Sequence, residues 1–235
     1  MIELSYEGRR VFRPVSLLYL LMLLLSLIGI IAVAYFLLEG ILVTALGIPV
    51  YWVGIFLFVS LFGSFLNFPV GTIESRAPIL NVNEVVAFGV RWQVPSIRVG
   101  VARTHILINL GGAVLPIVIS GYLLGTRRAR VIVTVLVNRS ASVVKGFGVA
   151  TLALAPPLIT MLATILVDNI SPLRSPTQVA YIGGTLGTLI GADLFNLGKI
   201  RYIGTPAVSI GGAGTFDGIY LTGIVSVLLV FLAIG

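Results

Sequence analysis

The chain has 235 residues, 58% of them hydrophobic and only 10% charged, with mean hydropathy +1.13. Soluble domains carry about 25% charged residues, so too little polar surface is left to coat a water-soluble globule. The net charge of +7 sits between apolar blocks, which excludes nucleic acid and points to membrane topology and anionic lipid headgroups, while the absence of cysteine excludes disulfides and thiol chemistry.

Residues 1–13 form a polar lead ending in Arg9, Arg10 and Arg13. Leu17 to Leu38 carries no charge and is long enough to cross the roughly 30 Å hydrocarbon core as a helix. It is too long for a signal-peptide core and has no small-residue cleavage site, so it reads as a retained span over 14–38. Glu39-Gly40 reads as a solvated break, and a second span is expected over 41–66, with Gly47 and Pro49 interrupting its start. Prolines and glycines then punctuate β-branched runs such as Asn83 to Val90, which predicts an extramembrane β-rich insertion over 67–103. Further spans are expected over 104–125, 149–167 (with Pro156-Pro157 near its start), 177–197 and 216–234, and the apolar stretch 129–137 is a span or a half-helix. A Gly-rich connector covers 198–215, with a hairpin expected from Tyr202 to Ile210.

These elements predict a single membrane domain over 1–235. Its class is an all-α polytopic membrane protein of six or seven transmembrane helices with a small β-rich segment. Neither terminal apolar block alternates with period two, which disfavours a lipid-facing barrel. With the N-terminus in the cytoplasm, eleven Lys and Arg fall in inner segments and four in outer ones, so a cell-membrane protein with a cytoplasmic N-terminus is expected. The cluster Arg127, Arg128 and Arg130 runs against that count.

An ionisable group inside a span costs roughly +2.5 to +3.5 kcal/mol even on lenient scales, which makes it a functional candidate. Asp193, in Gly191-Ala192-Asp193-Leu194-Phe195-Asn196, closes one expected span. Asp217, in Gly211-Gly212-Ala213-Gly214-Thr215-Phe216-Asp217-Gly218, opens the next. Antiparallel neighbours place both at one depth, where like charges repel and one carboxyl keeps its proton. One acid and one base acting on a water is the apparatus of aspartyl hydrolysis. Gly183, Gly187 and Gly191, four apart, allow a helix to approach closely. Asn196 is the expected partner of Asp193, and the backbone at Gly212 and Gly214 could orient a substrate. Asn67, and His105 with Asn109 on one helical face, fall on the same side. The bland alternatives are that Asp193 is satisfied at a membrane boundary and that Asp217 sits at a helix N-terminus for its dipole. With one histidine and no cysteine, no metal is expected, and no cofactor is.

The stretches Tyr181 to Leu194 and Ser209 to Ile219 resemble the prokaryotic membrane family called domain of unknown function 1614. Asn109-Leu110-Gly111-Gly112-Ala113 and Ala155-Pro156-Pro157-Leu158 fit the same pattern. The resemblance runs from about Asn67 onward and implies a multi-pass membrane protein without implying an activity. A weaker likeness is to intramembrane aspartyl proteases of presenilin and prepilin-peptidase type, which also place two Asp on neighbouring spans. Here Asp217 follows Gly212-Ala213-Gly214 by three residues, Ala192 precedes Asp193 where presenilins have Tyr, and Pro206-Ala207-Val208 lies before the second Asp. The leading expectation is an intramembrane aspartyl hydrolase or protease acting on a membrane-embedded peptide, with lipids as neighbours. The alternatives are a proton- or cation-coupled transporter or channel using the same two Asp residues, or a non-catalytic scaffold.

Overall fold

In the computed structural model, residues 17–124, 143–145, 148–150, 154–200, 205–214 and 217–234 are described. Helix α1 (Leu17–Leu46) is an unbroken run of 30 residues, about 45 Å long at 1.5 Å per residue. It passes straight through Glu39-Gly40, because an amide backbone in an apolar stretch is best satisfied by the helix itself. Glu39 lies against Gly54 of the next helix rather than in a solvated turn. The helix ends where Gly47 adopts φ +65° and donates to the Val43 carbonyl (3.0 Å). Thr177 and Gln178 donate to the carbonyls of Ala45 and Leu46 (2.5 and 2.6 Å), satisfying its C-terminus from another element. After Pro49 the chain turns into α2 (Val50–Gly63), and Tyr35 of α1 donates to the Gly54 carbonyl (3.1 Å).

A hairpin follows. β1 (Asn67–Ala87) and β2 (Val90–Asn109) pair antiparallel from Asn67↔Asn109 to Ala87↔Val90. Phe88 and Gly89 connect them with φ 55° and 76°, the two left-handed residues of a type I′ turn. Pro69 and Pro78 lie on β1, the open edge of the sheet, and Pro95 lies on β2 beyond the reach of its second neighbour, where a missing N–H costs no ladder bond. That neighbour is β5 (Ala207–Ile210), parallel to His105–Ile108. Thr104, buried where β5 begins, donates to the Thr205 carbonyl (2.6 Å) and lies 3.0 Å from the Ser75 hydroxyl. Strands β3 (Val143–Lys145) and β4 (Gly148–Ala150) form a separate two-stranded ladder.

β2 leads through a π-turn (Leu110–Val114) into α3 (Leu115–Leu124). Helix α4 (Ala155–Ile170) starts at the proline pair, where missing N–H groups do no harm. Helix α5 (Pro176–Thr188) runs into a π-turn (Leu189–Asp193), a 3-10 turn (Leu194–Asn196) and one last turn to Ile200. Helix α6 (Gly218–Ile234) packs against α5 at close range. A Cβ on Gly223 would collide with the Thr185 hydroxyl, and one on Gly184 would sit 2.9 Å from the Ser226 hydroxyl and the Thr222 carbonyl. Gly184 and Gly223 thus both serve this close approach. The main core joins Leu42 and Leu46 of α1, Phe56 and Leu57 of α2, Tyr181 and Ile182 of α5, and Ile224 and Val227 of α6.

The all-α class with six or seven spans is therefore corrected. Among the described residues there are six helices of ten residues or more, and one, at Tyr19–Leu46, is long and apolar enough to cross a membrane. The other described helices fall below that length, the 17 residues of α6 reaching about 26 Å. A mixed sheet of β1, β2 and β5 also forms part of the described chain. Hydropathy alone could not separate strand from helix at 104–109, where the apolar residues of Thr104-His105-Ile106-Leu107-Ile108-Asn109 suit either, and β5 decides for strand. Of the expected hairpin at 202–210, residues 207–210 pair parallel with β2, and 202–204 lie outside the described residues. The basic lead, the 127–130 cluster and the stretch 129–137 lie outside the described residues.

Candidate functional site

Two glycine-rich turns meet beside the base of the hairpin. Asn109 caps the π-turn, its side-chain oxygen accepting from the Gly112 N–H (2.8 Å). Its amide nitrogen donates to the Ser64 carbonyl (2.8 Å) and to Asn67 Oδ1 (3.2 Å), which also accepts from the Ser209 hydroxyl (2.6 Å). Ser60 donates to the Gly111 carbonyl (2.7 Å), and Ser64 donates back to the Ser60 carbonyl (2.8 Å). A Cβ on Gly112 would strike the carbonyl oxygens of Gly211 and Gly214, and one on Gly214 would strike Ser64. Gly211 and Gly214 also hold φ +70° and +62°. The connector is thereby fastened to α2 and the π-turn by backbone-to-backbone contact.

Of the sequence candidates, Asn67, Asn109 and Gly214 come together in this junction, and Gly212 flanks it, with room for its Cβ taken by Ser209 at 2.9 Å. Asn109 is fully buried with its amide bonded at both ends, which makes it an architectural residue. Its helical pairing with His105 is corrected. Both lie on β2, about 13 Å apart at 3.3 Å per residue. His105 is exposed, and its backbone N–H donates to the Pro206 carbonyl (3.0 Å). Ser60, Ser64 and Ser209 were missed in the sequence reading. The signal lay in two serines four apart in an otherwise apolar helix.

The carboxylates flank the connector, Asp193 before it and Asp217 just after its glycine turn. Asp217 immediately precedes α6, and its Oδ1 accepts from the Ile219 N–H (2.9 Å), the geometry of a helix-capping acid. Its own N–H donates to the Gly214 carbonyl (3.0 Å), which couples the cap to the glycine turn. Asp193 closes the π-turn after α5. Leu189 at the start of that turn packs with Ala113, Ile210 and Ile219, so one apolar cluster joins the π-turns, β5 and the start of α6. Asn196 donates to the carbonyls of Gly191 and Ala192 (2.9 and 2.8 Å), groups that the helix break leaves open, so it supports the turn carrying Asp193.

Both acids lie outside α1, and their surroundings differ. Burial, and then the charge of Asp217, push the Asp193 carboxyl up to about 7. Burial raises Asp217 as well, but the N–H groups of Ile219 and Ala213 pull it back. Two acids that feel each other's charge resist double ionisation, and with Asp193 pushed up to about 7 the pair is suited to share a proton near neutrality. Among the described residues no group of three or more His, Asp or Glu gathers as a metal site would require.

The chain belongs to the DUF1614 family, described as a protein of unknown function, which matches residues 61–229. The match spans the hairpin, both glycine turns and both acids. No curated protein and no solved structure matches the chain.

Proposed function

We propose that this DUF1614 member is a membrane-bound aspartyl hydrolase whose Asp193 and Asp217 act as acid and base on a peptide presented at the membrane boundary. The observation that carries the reading is the pair itself, two acids flanking the Gly-rich connector, both raised by burial, with the charge of Asp217 felt at Asp193. Asp217, positioned by the Ile219 N–H that its carboxylate accepts, takes the proton of an attacking water. Asp193, protonated near neutrality, donates to the carbonyl oxygen of the scissile amide. After attack the roles reverse, Asp217 protonating the leaving amine as the tetrahedral carbon collapses. Gly212 and Gly214 place backbone beside the pair for aligning an extended substrate.

The membrane placement is part of the proposal. The helix Tyr19–Leu46 crosses the bilayer, and the arginines before it put the N-terminus on the cytoplasmic side of the cell membrane. Exposed stripes of Tyr51, Ile55, Phe58 and Phe62 on α2, and of Leu158, Leu162, Leu166 and Ile170 on α4, lie against lipid beside it.

The test is cleavage of a panel of single-span peptides in liposomes by the native protein, Asp193→Asn and Asp217→Asn. Cleavage is expected in the native protein, lost in both variants, and declining above about pH 7 as Asp193 loses its proton. Equal cleavage in all three overturns the proposal. A second reading, proton- or cation-coupled transport through the same acids, is favoured by one feature: α5 breaks into a π-turn at Asp193, and α6 starts after left-handed glycines. Flux that needs both acids without peptide cleavage would decide for it.

A further inference from the structure

A cavity lies between the end of α1, α2 and α3, with a volume of about 400 Å³. Leu46, Val53 and Phe56 form its buried wall, and Trp52, Val118 and Tyr122 stand exposed at its mouth. Every lining residue is apolar or aromatic. The polar atoms that the lining side chains offer are the indole N–H of Trp52 and the hydroxyl of Tyr122, both on mouth residues. Water has too few partners in such a space to be held there, and an unfilled void forfeits packing. The volume falls within the range of ligand sites.

We infer that this cavity binds one acyl chain of a membrane phospholipid, with the headgroup at Trp52 and Tyr122. The occupant follows from continuity. Trp52 and the lining residue Ile55 belong to the apolar face of α2 that carries Phe58 and Phe62, so the mouth opens onto the surface assigned above to lipid. A chain entering from that side passes from one hydrocarbon phase into another, and its polar end meets aromatic side chains of the kind that favour the headgroup level. The inference rests on the proposed membrane placement and is independent of the hydrolase chemistry.

The chain has two tryptophans, so Trp92→Phe leaves Trp52 as the sole indole reporter. This variant is reconstituted into vesicles of dioleoylphosphatidylcholine or of its dibrominated analogue, whose bromines quench indoles on contact. Trp52 should be quenched strongly by the brominated lipid. Val118→Phe, which narrows the mouth, and Val53→Phe, which fills the interior, should each reduce that quenching about twofold or more. Each is compared only if it keeps the parent's elution volume and circular dichroism, and native mass spectrometry of the unmodified protein should find one phospholipid retained per chain. Equal quenching in the parent and a folded cavity variant means lipid at the perimeter only and overturns the inference. So does an unquenched Trp52, or a native protein retaining no lipid. A control with both tryptophans replaced and Phe36→Trp in α1 separates the causes. Quenching there with none at Trp52 rejects the cavity site alone, while quenching at neither rejects the membrane placement. Peptide cleavage is not part of the readout, so failure here leaves the carboxylate proposal standing.

Discussion

The glycine–asparagine junction and the carboxylate pair are two polar centres among the described residues, coupled where the Asp217 N–H donates to the Gly214 carbonyl, and they are built on opposite terms. At the junction Asn109 has both ends of its amide bonded, and the glycines are pressed against foreign backbone. At the pair, Asp217 gains from backbone N–H groups, while Asp193 is governed by burial and its neighbour's charge. A buried polar group whose bonds are complete fixes a shape. A buried acid kept near neutrality by its surroundings is available for proton exchange.

The largest expected break is at the junction. Gly112→Ala drives a methyl into two carbonyl oxygens that belong to another segment, and neither side is a flexible side chain that could yield. A loss of about 3 kcal/mol or more is expected, seen as failure to recover folded protein by size exclusion in detergent. Asn109→Ala should cost about 2 kcal/mol, because it leaves the Gly112 N–H and the Ser64 carbonyl without this partner in a buried place. Asn67→Ala, at an exposed position, should cost less than about 1 kcal/mol. Thermal unfolding of the two variants measures that difference, and equal losses would break the distinction between buried and exposed members.

The effect at the acids is read as a pH slope and has a definite sign. Asp193 holds its proton more tightly in the folded protein than at the ordinary carboxylate value of about 3.9. Between there and about 7 the folded state therefore carries more protons than the unfolded chain, and stability falls as pH rises. Asp193→Asn should flatten that slope in melting curves across this window. Asp217→Asn should lose little stability, since Asn also caps helices well. A slope unchanged by Asp193→Asn would show that the pH dependence comes from another group.

The sequence by itself determined the apolar character, the long first helix, the strand-rich stretch after Asn67 and the segments that hold the two acids. These follow from local quantities: the charge-free run from Leu17, β-branched residues between prolines, and carboxylates beside glycines. The sequence did not determine where elements end. Glu39-Gly40 looks like a break and is helix, whereas Thr104 to Asn109 looks like a span and is strand, laddered with β1 on one side and with β5, about a hundred residues later, on the other. Tertiary structure also made Asn109 a cap and gave Asp193 and Asp217 different surroundings. Burial, ladder partners and neighbouring charge come from chain segments distant in sequence, and no local pattern of residues encodes them.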